Sequence, residues 1–191
     1  MPQDKGLLVV LSGPSGVGKS TIAHALEQRL GTVFSVSMTT RPKSPLEQHG
    51  VDYHFVDEAR FHRALEQDDL LEHAHVFDHW YGTPRKPIED AVAAGKIIVL
   101  EIDIEGAIQV RRRYPQAFEV FILPPANEIL VKRLRGRGRE GEEAIQRRFK
   151  EHEKEIARAR ECGVYDQFVI NDVIEQTIDT VVRLIQERQA R

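Results

Sequence analysis

The order of apolar runs predicts an α/β protein: a parallel β-sheet flanked by helices, with right-handed crossovers between strands. Three observations carry this. Leu7–Leu11 and Ile97–Leu100 are apolar at successive positions, and Phe118–Leu123 is apolar but for Glu119, as strands buried on both faces are. The intervening segments place apolar residues on one helical face. A glycine-rich loop at Gly13–Ser20 joins the first strand to the first helix, the junction at which open α/β sheets bind ligands.

Leu7 to Leu11 reads as the central strand. Gly13, Pro14, Ser15, Gly16, Val17, Gly18, Lys19 and Ser20 follow, matching G-x-x-x-x-G-K-S/T at every fixed position, with Thr21 just behind. Glycines let backbone N–H groups curl around a triphosphate, and the helix that opens here turns its positive end toward the same charges. Lys19 would reach the β- and γ-oxygens, and the Ser20 hydroxyl would be a Mg²⁺ ligand. The following helix buries Ile22, Ala25, Leu26 and Leu30 and ends at Gly31; Val33–Val36 reads as a short strand.

From Ser37 to about Pro87 the character changes. Turn signals such as Arg41-Pro42 and Ser44-Pro45 alternate with short β-like pieces, and Phe61–Leu65 reads as helix, so a mixed subdomain is inserted between two parallel strands. Ile88–Ala94 is a helix stopped by Gly95. Ile97–Leu100 runs into Glu101 and Asp103, carboxylates at a strand's C-terminal end, where they face the binding crevice. Gly106–Arg113 reads as a short helix whose three final arginines are a solvated end. Asn127–Leu134 reads as helix, Arg135–Arg139 as a glycine-broken basic run, Glu142–Glu161 as a long charged helix, and Phe168–Ile170 as a last strand. Ile174, Ile178, Val181, Val182 and Ile185 mark a closing amphipathic helix.

The 191 residues suit one domain, and 41% hydrophobic with 30% charged residues leaves enough apolar material for a core. A net charge of −3 speaks against a general nucleic-acid or membrane-surface binder. Cys162 is the single cysteine, which suits a reducing compartment, and no apolar run approaches the ~20 residues of a membrane span, so a cytoplasmic enzyme is expected. The N-terminus enters the first strand with no signal-peptide pattern. His73, His75 and His79 read as scattered polar residues rather than a metal site.

Several stretches then become specific as a set: Gly13–Ser20, Ser35–Pro42, Gly50–Val56, Glu72-His73-Ala74, Trp80–Thr83, Glu101–Gly106, Leu134–Gly138 and Val169–Asp172. In this order they resemble guanylate kinase over nearly the whole chain. The resemblance implies transfer of the γ-phosphoryl group of ATP to GMP with Mg²⁺, in purine nucleotide recycling. It also implies one domain over 4–188. A P-loop core would comprise 1–36, 88–131 and 162–191, with a GMP-binding subdomain at 37–87, and a small helical lid with its following helix at 132–161.

By the same resemblance, Arg41, Tyr53 and Tyr81 would hold the GMP phosphate, and Glu72, with Ser37, Thr83 and Asp103, would read the base. A planar guanidinium can donate two parallel bonds to phosphate. A carboxylate suits the adjacent N1–H and N2 donors of guanine, whereas adenine offers a lone pair at N1. Asp103 could instead reach Mg²⁺ through water; Glu101 stands where the family more often has aspartate. Arg133, Arg137 and Arg148 correspond to the family's catalytic arginines beside Lys19 and Arg41. One departure is Ser44, where the family usually has a second arginine. Weaker GMP binding is therefore expected, with Lys43 as a partial substitute.

Two other classes of function remain to be separated. Guanylate-kinase-like domains also serve as peptide-binding modules, typically with a damaged phosphate loop, whereas Lys19, Ser20 and both outer glycines are present here. A P-loop kinase for another acceptor is disfavoured by Glu72 with Tyr81 and Thr83, and a nucleic-acid-dependent ATPase by the negative net charge. Association into homo-oligomers is left open.

Overall fold

The computed structural model describes residues 6–76, 78–125 and 142–190, with side chains throughout except at 142–149. Its centre is a five-stranded parallel sheet. Strand β1 (Leu7–Ser12) lies in the middle, between β7 (Ile97–Glu101) and β8 (Phe118–Leu123). The edges are β2 (Val33–Phe34) beside β7 and β9 (Gln167–Ile170) beside β8, giving the order β2-β7-β1-β8-β9.

Alternate residues of β1 enter different cores, as the two-residue period of a strand requires. Leu7, Val9 and Leu11 join Val99, Val120 and Ile122 under α1 (Lys19–Leu30) and α6 (Ile174–Gln189), which contribute Ile22, Leu26, Ile178, Val181 and Ile185. Leu8 and Val10 join Ile98 and Leu100 on the other face, under α3 (Arg85–Ala93) and α4 (Ile104–Arg113), through Ile88, Ala107 and Val110. Helix α5 (Glu142–Cys162) adds Ala159 to a smaller cluster with Ile104, Phe121 and Leu123. Each of the Val, Leu, Ile and Phe side chains among these, removed from water, stabilises the fold by about 1.5–3 kcal/mol before conformational entropy is set against it.

The segment between β2 and α3 forms a second sheet with the order β4-β3-β6-β5. Here β3 (Met38–Thr39) runs parallel to β4 (His54–Phe55), and β6 (His79–Pro84) is antiparallel to both β3 and β5 (Leu70–Val76). Helix α2 (Glu58–Glu66) starts at Asp57, whose side chain accepts the Arg60 N–H at 2.7 Å. The buried core of this unit is small: Phe61, Ala64 and Leu70, with Phe61 stacked on Trp80 at 5.7 Å between centroids. It docks on the main body where the Gln109 side chain of α4 brackets the His73 backbone of β5. Gln109 Oε1 accepts the His73 N–H at 3.1 Å, and Nε2 donates to the His73 carbonyl at 2.9 Å.

Several elements differ from the sequence reading. β2 is two residues long rather than four. α3 starts at Arg85, not Ile88, since Pro87 lies in its first turn, where proline's missing N–H is not needed. α4 starts at Ile104 because the Asp103 carboxylate accepts the Gly106 N–H at 2.8 Å and caps it. The arginines that end α4 are not simply solvated. Arg111 donates to Val164 O at 2.7 Å, to Ala117 O at 3.0 Å and to Asp166 at 2.6 Å. Arg113 donates to the Leu70 carbonyl and lies 3.3 Å from Asp68. The helix expected at 127–134 and the basic run at 135–139 lie outside the described residues.

Candidate active site

The loop after β1 turns back over the end of the sheet. Gly13 has φ +144° and Gly18 φ +105°. A Cβ at Gly13 would stand 2.4 Å from the Ile122 carbonyl oxygen, and one at Gly18 2.6 Å from Asn171 Nδ2, so both positions require glycine on two counts. Asn171, just beyond β9, donates through Nδ2 to the Val17 carbonyl at 2.7 Å and accepts the Thr177 hydroxyl at 3.0 Å. The loop is thus anchored to the edge strand β9.

Lys19 is folded over its own loop. Its ammonium donates to the Gly13 carbonyl and, at 3.2 Å, to that of Pro14. Burial lowers its pKa, and the charges of Glu155 on α5 and Glu101 on β7 oppose that. The next residue makes the link to β7: the Ser20 hydroxyl donates to Glu101 Oε2 at 2.9 Å. A hydroxyl beside a carboxylate is a hard-oxygen donor set of the kind Mg²⁺ takes. Of the two strand-end carboxylates, Glu101 is the one beside Ser20. Asp103 is instead engaged with the Gly106 N–H.

Asp103 also connects this end of the sheet to the inserted subdomain, because its charge helps raise the pKa of Glu72. Glu72 is 7% exposed on β5, and a Cβ at Gly106 would stand 3.2 Å from its Oε2. The β5–β6 register sets Glu72 opposite Thr83, whose buried hydroxyl donates to Glu72 Oε1. Burial is the main cause that pushes the carboxyl up to about 7; the Thr83 bond works the other way. The Thr83 donor is therefore committed to Glu72 here. Ser37 lies just before β3, and its carbonyl accepts the His54 N–H at 2.8 Å.

Arg41, Tyr53 and Tyr81 do meet. The Arg41 guanidinium carbon is 5.6 Å from the Tyr53 ring centroid, and the two tyrosine rings are edge to face at 5.9 Å. Burial raises the Tyr53 pKa. The guanidinium is held by Glu47 in a two-pronged pair, with Nη1 donating to Oε2 at 3.0 Å and Nη2 to Oε1 at 2.6 Å. Lys43, expected as a substitute cation, donates to the Ser44 and Glu47 carbonyls at 3.3 and 2.9 Å. Arg133 and Arg137 lie outside the described residues. Arg148 is on α5, with its side chain outside them as well.

Among known proteins, a model of the guanylate kinase family matches residues 5–188. The chain belongs to the guanylate kinase family. It is 48% identical over 174 residues to a guanylate kinase of Thermosynechococcus vestitus, covering 91% of this chain and 90% of that one. It is 46% identical to one of Carboxydothermus hydrogenoformans, covering 92% and 85%. The crystal structure of guanylate kinase from Anaplasma phagocytophilum superposes with a TM-score of 0.73 at 34% identity, covering 98% of this chain and 88% of that one. The chain is a nucleoside monophosphate kinase that transfers the γ-phosphoryl group of ATP to GMP. No helix among the described residues is long and apolar enough to cross a membrane.

Sequence reasoning passed over Glu47, Asn171 and Glu155 as individual contributors, and it offered Asp103, not Glu101, as the carboxylate that could reach Mg²⁺. Asn171 had a usable signal, an amide just past an apolar strand. Glu47, in a polar turn, had no periodic signal and could be found only from the family's motif.

Proposed function

We propose that two nucleotides meet at the C-terminal edge of the parallel sheet, ATP on the loop at Gly13–Thr21 and GMP against the inserted subdomain. The observation that carries this reading is the continuous β7–α4 junction. Glu101 accepts the Ser20 hydroxyl at 2.9 Å, and Asp103, two residues on, acts on Glu72. One strand end therefore serves both halves of the site. Glu72 accepts from guanine N1–H and N2, with Thr83, Ser37 and Asp103 around it. Arg41, Tyr53 and Tyr81 take the GMP phosphate. The reading keeps the division into core, GMP-binding subdomain (37–87) and lid with its following helix (132–161), with Arg133, Arg137 and Arg148 acting from the last. A cytoplasmic setting goes with it, on the single-cysteine composition.

Ser20, with Glu101 behind it, would hold Mg²⁺, which when bound neutralises charge on the phosphates. The chain's own groups do the rest. With a second pKa near 6, the GMP phosphate is largely dianionic at pH 7 and is already a nucleophile, so no general base is needed. The remaining task is to bring two anions into line and to stabilise charge on the transferring group. Lys19 leaves its two loop carbonyls for the phosphates of ATP. Arg41 stands on the acceptor side. Burial around Lys19 and Glu72 strengthens both interactions by excluding water.

A coupled assay of ADP formation over a panel of nucleoside monophosphates, with Mg²⁺ present and withheld, tests the reading. GMP should be phosphorylated far faster than AMP, CMP or UMP, and only with the metal. Comparable turnover of AMP would overturn the assignment of Glu72.

A further inference from the structure

The Arg41 fork faces an anion from its own chain. Glu47 takes both outer nitrogens, at 3.0 and 2.6 Å, and Glu47 Oε2 also accepts the Ser44 backbone N–H at 2.8 Å. Arg41 Nη1 is shared further with the Pro42 carbonyl at 3.0 Å, and Tyr81 stands close enough to the same guanidinium to help hold its charge. A guanidinium fork with a backbone N–H beside it and a tyrosine hydroxyl at its flank is the donor set a phosphate monoester would use. A carboxylate is the closest protein mimic of that anion.

We propose that Glu47 is an internal stand-in for the acceptor phosphate: it occupies the Arg41 fork in the nucleotide-free chain and must be displaced before GMP can bind. This rests on the reading of Arg41 as a phosphate ligand. A phosphate dianion and a carboxylate cannot both use the same pair of N–H groups, and at one guanidinium they repel each other. The cations nearby do not relieve the conflict. Lys43 is directed to the Ser44 and Glu47 backbone carbonyls, and Ser44 contributes an N–H without a charge. Protonation does not open the fork either, because the bond from Arg41 holds the Glu47 carboxyl down at about 2. The way out is for the turn itself to give: its bonds are local, such as Glu47 N–H to the Ser44 carbonyl at 3.2 Å, and its apolar residues are not anchored in a core, Leu46 being 96% exposed and Val51 65%.

Displacement costs every phosphate-bearing ligand the same and costs a ligand without phosphate nothing. The pair thus makes net binding lean more on the guanine contacts at Glu72, and free phosphate occupies the acceptor site less readily.

Glu47→Gln keeps the shape and one acceptor oxygen but removes the charge. By calorimetry on the full chain, the Kd for GMP should fall about fivefold, the scale of one ion pair with part-exposed partners. The Kd for guanosine should not move, and inorganic phosphate should compete with GMP more strongly by a similar factor. A GMP Kd that stays the same or rises would overturn the proposal, since Glu47 would then be a support that aims Arg41. Arg41→Ala separates the two layers. If it leaves GMP binding unchanged, the phosphate-site reading itself fails. If it weakens GMP binding while Glu47→Gln brings no gain, only the stand-in role fails. Should Glu47→Gln melt early, Glu47→Asp serves in its place: its shortened carboxylate cannot span the fork, so GMP should again bind more tightly, and unchanged or weaker binding would reject the proposal.

Discussion

Glu72→Gln is the sharpest test of how the base is read. In the folded chain the carboxyl lies near pKa 7, because burial outweighs the bond from Thr83 and Asp103 adds its charge. Only the ionised form accepts at both oxygens, so at pH 6 about one molecule in eleven would be competent. For the parent, kcat/KM for GMP should be level above pH 7 and fall about tenfold per unit below it. The GMP phosphate, with its own pKa near 6, adds a second limb lower down. The amide variant removes the upper limb and leaves the lower one. It also sets an NH₂ against a guanine donor, losing a two-point contact worth about 1–3 kcal/mol, or roughly 5- to 150-fold in kcat/KM. The loss should fall mainly on KM, because Glu72 touches no transferring atom. Initial rates by the coupled assay across the pH range read both effects. The reasoning is refuted if the limb near pH 7 survives in Glu72→Gln, or if kcat/KM for GMP stays within about threefold of the parent.

Two further outcomes are expected. Glu119 on β8 is fully buried, 3.4 Å from Arg111 and near Asp166, and burial pushes its carboxyl up to about 8. Among the described residues neither of its oxygens has a hydrogen-bond partner. A carboxyl raised on folding stabilises fully below its unfolded value near 4.3, and that contribution is lost as pH rises through about 8. Thermal melts of Glu119→Gln should therefore gain on the parent steadily between those pH values, and a constant difference would contradict the raised carboxyl. Arg137→Ala should lose kcat by ~10³-fold with little change in ATP affinity, and matched losses in both would argue against a role on the transferring phosphoryl.

How much could be read without a structure depended on how local each signal was. The main strands are legible because burial on both faces makes them almost uniformly apolar, and the phosphate loop because its glycines and lysine are contiguous. The inserted subdomain is different. β5 carries Glu72, His73 and His75 among its apolar residues, and β3 and β4 are two residues each, so neither alternation nor a long apolar run marks them. A core of three buried residues leaves most of that sheet free of hydrophobic patterning. Motif resemblance supplied candidate site residues there where periodicity could not.

The chain's own order of residues determined the α/β class, the glycine-rich turn after β1 and the family, and it named the candidates for reading GMP, because each is written in neighbouring positions or in an ordered set of motifs. Which groups meet was decided only by folding. Ser20 finds Glu101 across 81 residues, Asn171 finds Val17 across 154, and Glu72 and Thr83 face each other through strand register. The hold of Glu47 on Arg41 is closer in sequence, yet it depends on a turn whose shape comes from sheet pairing and not from a repeating pattern. Contacts of this kind carry no local period, and their partners are set by how strands are ordered in the sheets.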